Sequence, residues 1–382
     1  MIPNRQQSNC GRISMKLPFT RPRGAFLLFS GAAILVTLFI WGCSGSGDSP
    51  VGPAGLDDNS LSLANPRVQA VIPIQERHTR DLMANPDVIG TAITLNDQGE
   101  PAIMLLVTTE AAGKLAPAEI EGVPLQIEYT DRIVAMDGGA AHRTKQTTPI
   151  QLGTSGGWRT DLANGFCCGG TLGSLINVGS QKRILSNYHV FESDIVLGGN
   201  GIVAKTGDFI IQPGLIDVGC NAANAQNVAT LVKSSSLPGN NVDASSATII
   251  AGMVNTNGAI LDVGTLTSAT IGASLSQAVK KSGRTSGLTR STVSGLNATV
   301  SVAYDNECAG GAAFTKTFTG QILIKNRGSR FLAGGDSGSL MVQDVTTNPR
   351  AVGLLYAGSS SLAVANPIGQ VLSFFGATMV GI

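Results

Sequence analysis

Charge is scarce in this chain. Asp, Glu, Lys and Arg make up 13% of its 382 residues and nearly balance, at a formal net charge of +1. So little excess charge leaves no global field to attract nucleic acid, and no nucleic-acid partner is expected. Aromatic residues are few at 5%, while glycine is abundant at 48 residues. That composition suits many short strands and turns better than long helices. The sequence has no Walker-type phosphate loop and no Cys/His cluster at zinc spacing, so it implies no cofactor and no metal. No period of about 20–50 residues recurs, which excludes a propeller or a solenoid. Histidine is rare: there are only His78, His142 and His189.

The N-terminal segment reads as an address. Lys16, Arg21 and Arg23 precede the apolar run AFLLFSGAAILVTLFIW, Ala25 to Trp41. This is a charged n-region followed by an h-region, slightly short for a spanning helix. Residues 1–43 resemble a bacterial lipoprotein signal, in which a small residue precedes a cysteine, here Cys43, that becomes the lipidated N-terminus. Trp41 departs from that pattern, so an uncleaved anchor and an ordinary signal peptide remain alternatives. Met15 would open a more ordinary n-region. In all three cases the rest of the chain is exported, as a cell-envelope lipoprotein (periplasmic or at the cell surface) or as a secreted protein, with membrane contact through this segment.

Beyond Cys10 and Cys43 the cysteines are Cys167, Cys168, Cys220 and Cys308. An exported chain usually pairs its cysteines. Adjacent residues in a strand face opposite ways, so Cys167 and Cys168 are expected to take different partners from Cys220 and Cys308; which takes which stays open.

Residues 44–65, rich in Gly, Pro, Ser and Asp, read as a flexible tether. Residues 66–140 read as a small α+β domain. RVQAVIPIQERHTRDLMAN is helical, DVIGTAITLN and PAIMLLVTT are strands joined by the hairpin signal DQGE, EAAGKLAPAEIEG is helical and VPLQIEYTDRIVAM is a strand. The order is α-β-β-α-β, with a polar linker at 137–148. Residues 141–382 read as an all-β domain, with short apolar runs between Gly, Asn, Ser and Asp and one candidate helix at NPIGQVLSFFGA. The overall class is mainly β, large enough for two barrels.

The stretch AGGDSGSL, Ala333 to Leu340, sets glycines around Asp336 and Ser337 before an apolar run. A nucleophilic serine needs a base and an acid elsewhere. His78 falls in the expected helix and His142 in the linker, which leaves His189 at the end of the strand in RILSNYHVF. Asp243, in NNVDASSATI, enters an apolar run, where an aspartate is poorly placed unless something binds it. The chain order is His189, Asp243, Ser337.

These motifs together resemble a chymotrypsin-fold serine peptidase over about residues 160–375. FCCGGTLGSLI is similar to the family's first-barrel strand, LSNYHVF to its histidine strand, GGDSGSL to its nucleophile turn and VGLLYAGS to the strand that pairs with substrate. SGRTSGLT, Ser282 to Thr289, resembles a segment of secreted bacterial members. The small N-terminal domain resembles one attached to bacterial trypsin-like proteins. Two departures stand out: no cysteine follows His189, and Ser339 replaces a glycine after the nucleophile.

The resemblance implies two six-stranded barrels, polypeptide substrates and a triad of His189, Asp243 and Ser337. It implies an oxyanion hole from the N–H groups of Gly335 and Ser337, and an ion pair between Arg284 and Asp336. It places Phe331 at the floor of the primary pocket, so an acidic floor is absent, and it places Tyr356, Ala357 and Gly358 against the substrate backbone. Residues 66–140 could act as a self-inhibitor, removed by cleavage in the linker, or as a permanent module. The rival reading is a catalytically silent, lipid-anchored binding or scaffold protein with the same fold.

Overall fold

Runs of alternating apolar residues, punctuated by Gly and Asn, form strands throughout the described residues, with few helices between them. The structure is a computed structural model and describes residues 61–134, 142–163, 166–192, 204–304 and 314–382. The expected signal segment, Cys43, residues 44–60 of the expected tether, residues 137–141 of the expected linker and Cys308 lie outside these residues.

The N-terminal part follows the expected order. Asn65 caps helix α1 (Pro66–Leu82): its side chain accepts from the Arg67 N–H, and Pro66 stands where no helical donor is needed. Strands β1 (Val88–Leu95) and β2 (Pro101–Val107) form an antiparallel hairpin. Helix α2 (Glu110–Leu115) and the short β3 (Glu119–Ile120) lead to β4 (Val123–Tyr129), which runs parallel to β2.

The next strands are β5 (Thr154–Trp158), β6 (Leu162–Ala163), β7 (Phe166–Cys167), β8 (Gly170–Leu172), β9 (Ser174–Val178) and β10 (Gln181–Ser186). A single turn of helix, α3 (Tyr188–Phe191), follows β10, and then come β11 (Phe209–Gln212), β12 (Gln226–Val232) and β13 (Ser245–Ile249). Past the small hairpin of β14 (Ala259–Ile260) and β15 (Gly264–Thr265) lie β16 (Ala278–Gly283), β17 (Gly287–Tyr304) and β18 (Phe314–Lys325). The chain ends with β19 (Leu340–Gln343), β20 (Ala351–Gly358), β21 (Leu362–Pro367), α4 (Ile368–Phe375) and β22 (Ala377–Met379). Helix α4 matches the one helix expected in this part.

Two sheets carry the architecture. The first has eight strands in the order β22-β9-β10-β13-β12-β11-β5-β8. The second runs β16-β19-β20-β21-β18-β17, and pairing of β16 with β17 closes these six strands into a ring. The chain is thus mainly β with barrel-like sheets, matching the chymotrypsin-like class expected from the motifs.

The disulfide expectation is met in part. Cys167 pairs with Cys220, Cα to Cα 5.4 Å. Cys168 is disulfide-bonded as well.

The N-terminal part is not free-standing. Strand β1 pairs along its second edge with β17, matching Gly90 to Val300 and Ile93 to Leu296, so β1-β2-β4-β3 extend the second barrel's sheet. Gly90 permits the approach, since a Cβ there would lie 2.6 Å from the Thr299 carbonyl oxygen. Val68, Ile93 and Ile103 share one buried apolar cluster with Val279, Val293 and Phe331. A part of this size is marginal by itself, and the shared core supplies the rest. Ile93→Ala is therefore expected to destabilise by about 2–5 kcal/mol and to lower one cooperative transition for the whole folded chain. Calorimetry showing a separate N-terminal transition would contradict the shared core.

Candidate active site

The histidine strand ends where it must turn. After β10, Asn187 leaves the sheet and α3 lifts His189 to the rim, while Tyr188, Val190 and Phe191 are buried. The Asp243 carboxylate meets this turn from beside β13. Its Oδ2 lies 2.6 Å from His189 Nδ1, and its Oδ1 accepts the Tyr188 N–H at 2.7 Å. The Asn187 side chain donates to the Asp243 carbonyl at 2.7 Å, and the Asp243 N–H donates to the Asn366 side chain at 3.2 Å. Asp243 is fully buried, so these donors replace the water it has lost.

A further donor was not legible in the sequence. Tyr304, the last residue of β17, donates its hydroxyl to Asp243 Oδ2 at 2.8 Å. Its ring stands edge-on to His189, centroids 5.9 Å apart. Burial, reinforced by the Asp243 carboxylate, holds the Tyr304 phenol well above its usual range. It is therefore a fixed neutral donor.

Ser337 sits in a turn in front of β19. The Asp336 N–H closes on the Ala333 carbonyl at 3.0 Å, and the Ser339 N–H on the Asp336 carbonyl at 2.9 Å. Gly335 and Gly338 have φ of +85° and +92°, the region that favours glycine. A Cβ at 335 would lie 2.5 Å from the Arg284 guanidinium, and one at 338 would lie 2.2 Å from Ser186 Oγ. Among the described residues, neither the Gly335 nor the Ser337 N–H donates to a backbone carbonyl. The Ser337 hydroxyl donates to the Tyr356 carbonyl at 3.3 Å.

Strand β8 brings the halves together. The Thr171 N–H donates to the Ser337 carbonyl at 2.8 Å, and Thr171 Oγ1 donates to the Gly335 carbonyl at 3.0 Å. Beside it, a Cβ on Gly170 would touch both Val190 and the Ser337 carbonyl. The serine turn and the histidine turn thus flank the same two residues. Strand β20 is bulged at Tyr356, since Leu355 pairs with Ala365 and Ala357 with Val364. The bulge aims the Tyr356 carbonyl at Ser337.

The expected Arg284–Asp336 pair is not made. Arg284 instead forks onto Asp217, with Nε to Oδ2 and Nη2 to Oδ1 both at 2.7 Å. Asp336 takes Lys281 Nζ at 2.9 Å, the Thr285 N–H at 2.8 Å and the Ala333 N–H at 3.0 Å. The reason is geometric. The Arg284 N–H is tied to Thr171 Oγ1 at 3.0 Å, and from there the side chain reaches the buried Asp217 of the first barrel. Lys281 alternates inward from β16 and is fully buried with Asp336. Burial pushes the Lys281 ammonium down, opposed by the Asp336 carboxylate.

Phe331 packs as a core residue, 1% exposed, with its N–H held by Asn326. Tyr356 and Ala357 are buried as well. Glu192, fully buried three residues past His189, accepts from Ser234, Ser235 and Ser245. Sequence reading passed over Asp217 and Glu192, although an acid inside an apolar run, the signal that found Asp243, also marks Asp217 in GLIDVG.

A family model described as the Nal1 C-terminal domain matches residues 201–365. No curated protein matches the chain. Among solved structures, a glutamic acid specific serine protease is 18% identical and aligns over 60% of this chain and 100% of its own, with a TM-score of 0.39. Thermobifida fusca Protease A is 20% identical over 61% of this chain and 99% of its own, at 0.39. Cellulomonas bogoriensis chymotrypsin is 20% identical over 61% of this chain and 99% of its own, at 0.37.

Two outcomes are expected from the buried charges. In a double-mutant cycle of Lys281→Met and Asp336→Asn, each single change costs about 3–5 kcal/mol and the pair couples strongly. The cycle of Arg284→Met with Asp336→Asn shows much weaker coupling, and chemical denaturation measures both. Burial raises the Glu192 carboxyl above its ordinary 4.5. The native state then holds a proton that the unfolded state releases, so stability falls as pH rises from that value through the raised one. Glu192→Gln should flatten that fall in urea titrations across the interval, whatever its absolute cost.

Proposed function

We propose that the chain is an exported serine endopeptidase acting through His189, Asp243 and Ser337. The observation that carries this reading is the short His189–Asp243 bond beside a glycine turn in which neither the Gly335 nor the Ser337 N–H donates to a backbone carbonyl. In the first step the Ser337 hydroxyl leaves the Tyr356 carbonyl and passes its proton to His189 Nε2 while Oγ attacks a peptide carbonyl. The Gly335 and Ser337 N–H groups receive the oxyanion. Collapse breaks the C–N bond, and His189 returns the proton to the leaving amine. Water, deprotonated by His189, then hydrolyses the acyl-enzyme.

Asp243 fixes the imidazole tautomer and stabilises its cation. Tyr304 and the Tyr188 N–H keep the carboxylate aimed. Tyr356 to Gly358 receive the substrate backbone as an added strand. Phe331, with no acidic group at that position, fits an apolar or small side chain better than a cationic one. The first 43 residues export the chain, with Cys43 as the lipidated anchor, and residues 66–140 restrain the enzyme.

Fluorophosphonate labelling tests the reading. One equivalent should react with the intact chain and none with Ser337→Ala or His189→Ala. Asp243→Asn should lower turnover by about 10⁴-fold with the fold intact. No labelling of folded wild-type protein would leave the silent binding-protein reading in front.

A further inference from the structure

The edge of β20 that would receive a substrate is already paired. The Val134 N–H donates to the Gly358 carbonyl at 3.0 Å, and the Gly358 N–H donates to the Val134 carbonyl at 2.9 Å. This is a reciprocal antiparallel bridge. It uses both backbone groups of the residue that the peptidase reading assigns to the substrate backbone.

The bridge belongs to a longer contact. The Ala303 N–H donates to the Ile133 carbonyl at 3.1 Å, so the segment lies between the end of β17 and β20. Ile133 is fully buried, in the apolar cluster that holds Tyr188, Tyr356 and Ala357. Asp131 accepts from the Ser360 hydroxyl at 2.6 Å, and Thr130 and Ser359 hydroxyls meet at 2.6 Å. Side chains and backbone thus lay residues 130–134 along 356–360 as an extended peptide.

We propose that Asp131–Val134 is a built-in pseudo-substrate strand that holds the backbone-binding edge at Gly358, and that the site opens when this strand is displaced while β1, β2 and β4 stay in the sheet. The inference rests on the peptidase reading and names the regulation of that site. It also separates two ideas that the sequence left joined. A restraining domain that is shed would have to leave the core it shares with β17 and β18. A short strand held by these three backbone hydrogen bonds, one buried Ile and a surface Asp can detach without that loss. Its own tether keeps it at an effective concentration on the order of mM, so a free peptide competes poorly until the strand lets go.

The test is built on binding, so that it does not depend on catalysis. A fluorescent peptide with the sequence Thr130 to Met136 is titrated against the full chain carrying Ser337→Ala, with and without Val134→Pro. Proline removes the N–H that Gly358 accepts. Asp131→Ala, which frees Ser360, is the second variant in case the first fails to fold. Either displaced-strand variant should bind the peptide at least about tenfold more tightly than its parent, or about 1.4 kcal/mol. Equal affinity in folded variants overturns the proposal. Fluorophosphonate labelling of the same variants with Ser337 restored reads the peptidase assignment separately, because a small probe does not need the Gly358 edge. Tighter peptide binding without labelling would uphold the strand and sink the peptidase; labelling with unchanged peptide binding would do the reverse.

Discussion

Thr171 is the point on which the site depends. It is a first-barrel residue, yet its N–H and hydroxyl hold the carbonyls of Ser337 and Gly335. Its hydroxyl also accepts the Arg284 N–H, and its carbonyl accepts the Ser186 hydroxyl at 2.7 Å. One buried residue therefore fixes the Ser337 turn against the strand that precedes His189. The Gly335 N–H shares its peptide plane with the Gly334 carbonyl, which accepts from Thr285 Oγ1, and the Ser337 N–H shares one with the Asp336 carbonyl, which accepts from the Ser339 N–H at 2.9 Å. The C=O and N–H of a trans peptide point opposite ways, so those held carbonyls turn the two N–H groups away from them, the polarity that the proposed oxyanion hole requires.

The charges around this point are buried in separate pairs. Arg284 with Asp217 spans the two barrels, and Lys281 with Asp336 lies inside the second. Each carboxylate also takes neutral donors, as Ser155 Oγ does at Asp217, 2.5 Å away. Such pairs add little net stability over an apolar core but are costly to break singly. Their effect is to fix geometry. A guanidinium with five donors in a fixed plane suits a bidentate bridge between barrels, and a lysine, as a point charge, suits a carboxylate already crowded with backbone N–H groups. The exchange of partners thus follows from shape, not from charge, which is the same in both arrangements.

That is also why the ion pairs were illegible while the fold class was not. Periodicity and glycine spacing act along the chain, and they announced the strands, the α-β-β-α-β order, the helix at Ile368–Phe375 and the turn at Ser337. Asp243 could be picked out because an acid entering an apolar run needs a partner. Which cation meets which acid depends on strand register and on which way a side chain leaves the sheet, and a one-residue change reverses it. Lys281 and Arg284 lie close together in sequence and face different carboxylates for that reason. Tyr304 was invisible for another: an apolar strand ending in Tyr reads as core, and only the long excursion of β17 carries its hydroxyl to Asp243.

The continuity of β1 with β17 changes what the N-terminal part can be. Read as a sequence, residues 66–140 look like a module that could be cut away. In the folded chain, Ile93 and Leu296 are paired and the cores are one, so removing the module would expose an apolar face and an unpaired edge of β17, a template for association with other chains. Covering that edge favours keeping the module in place. Its strands then act as a rigid arm, and the arm's last extended stretch, Thr130 to Val134, hydrogen-bonds to the end of β20 at Gly358 and Ser359. A stable sheet that delivers a weakly held strand to a binding edge separates the two demands on the segment: the arm supplies stability, and the strand remains free to exchange.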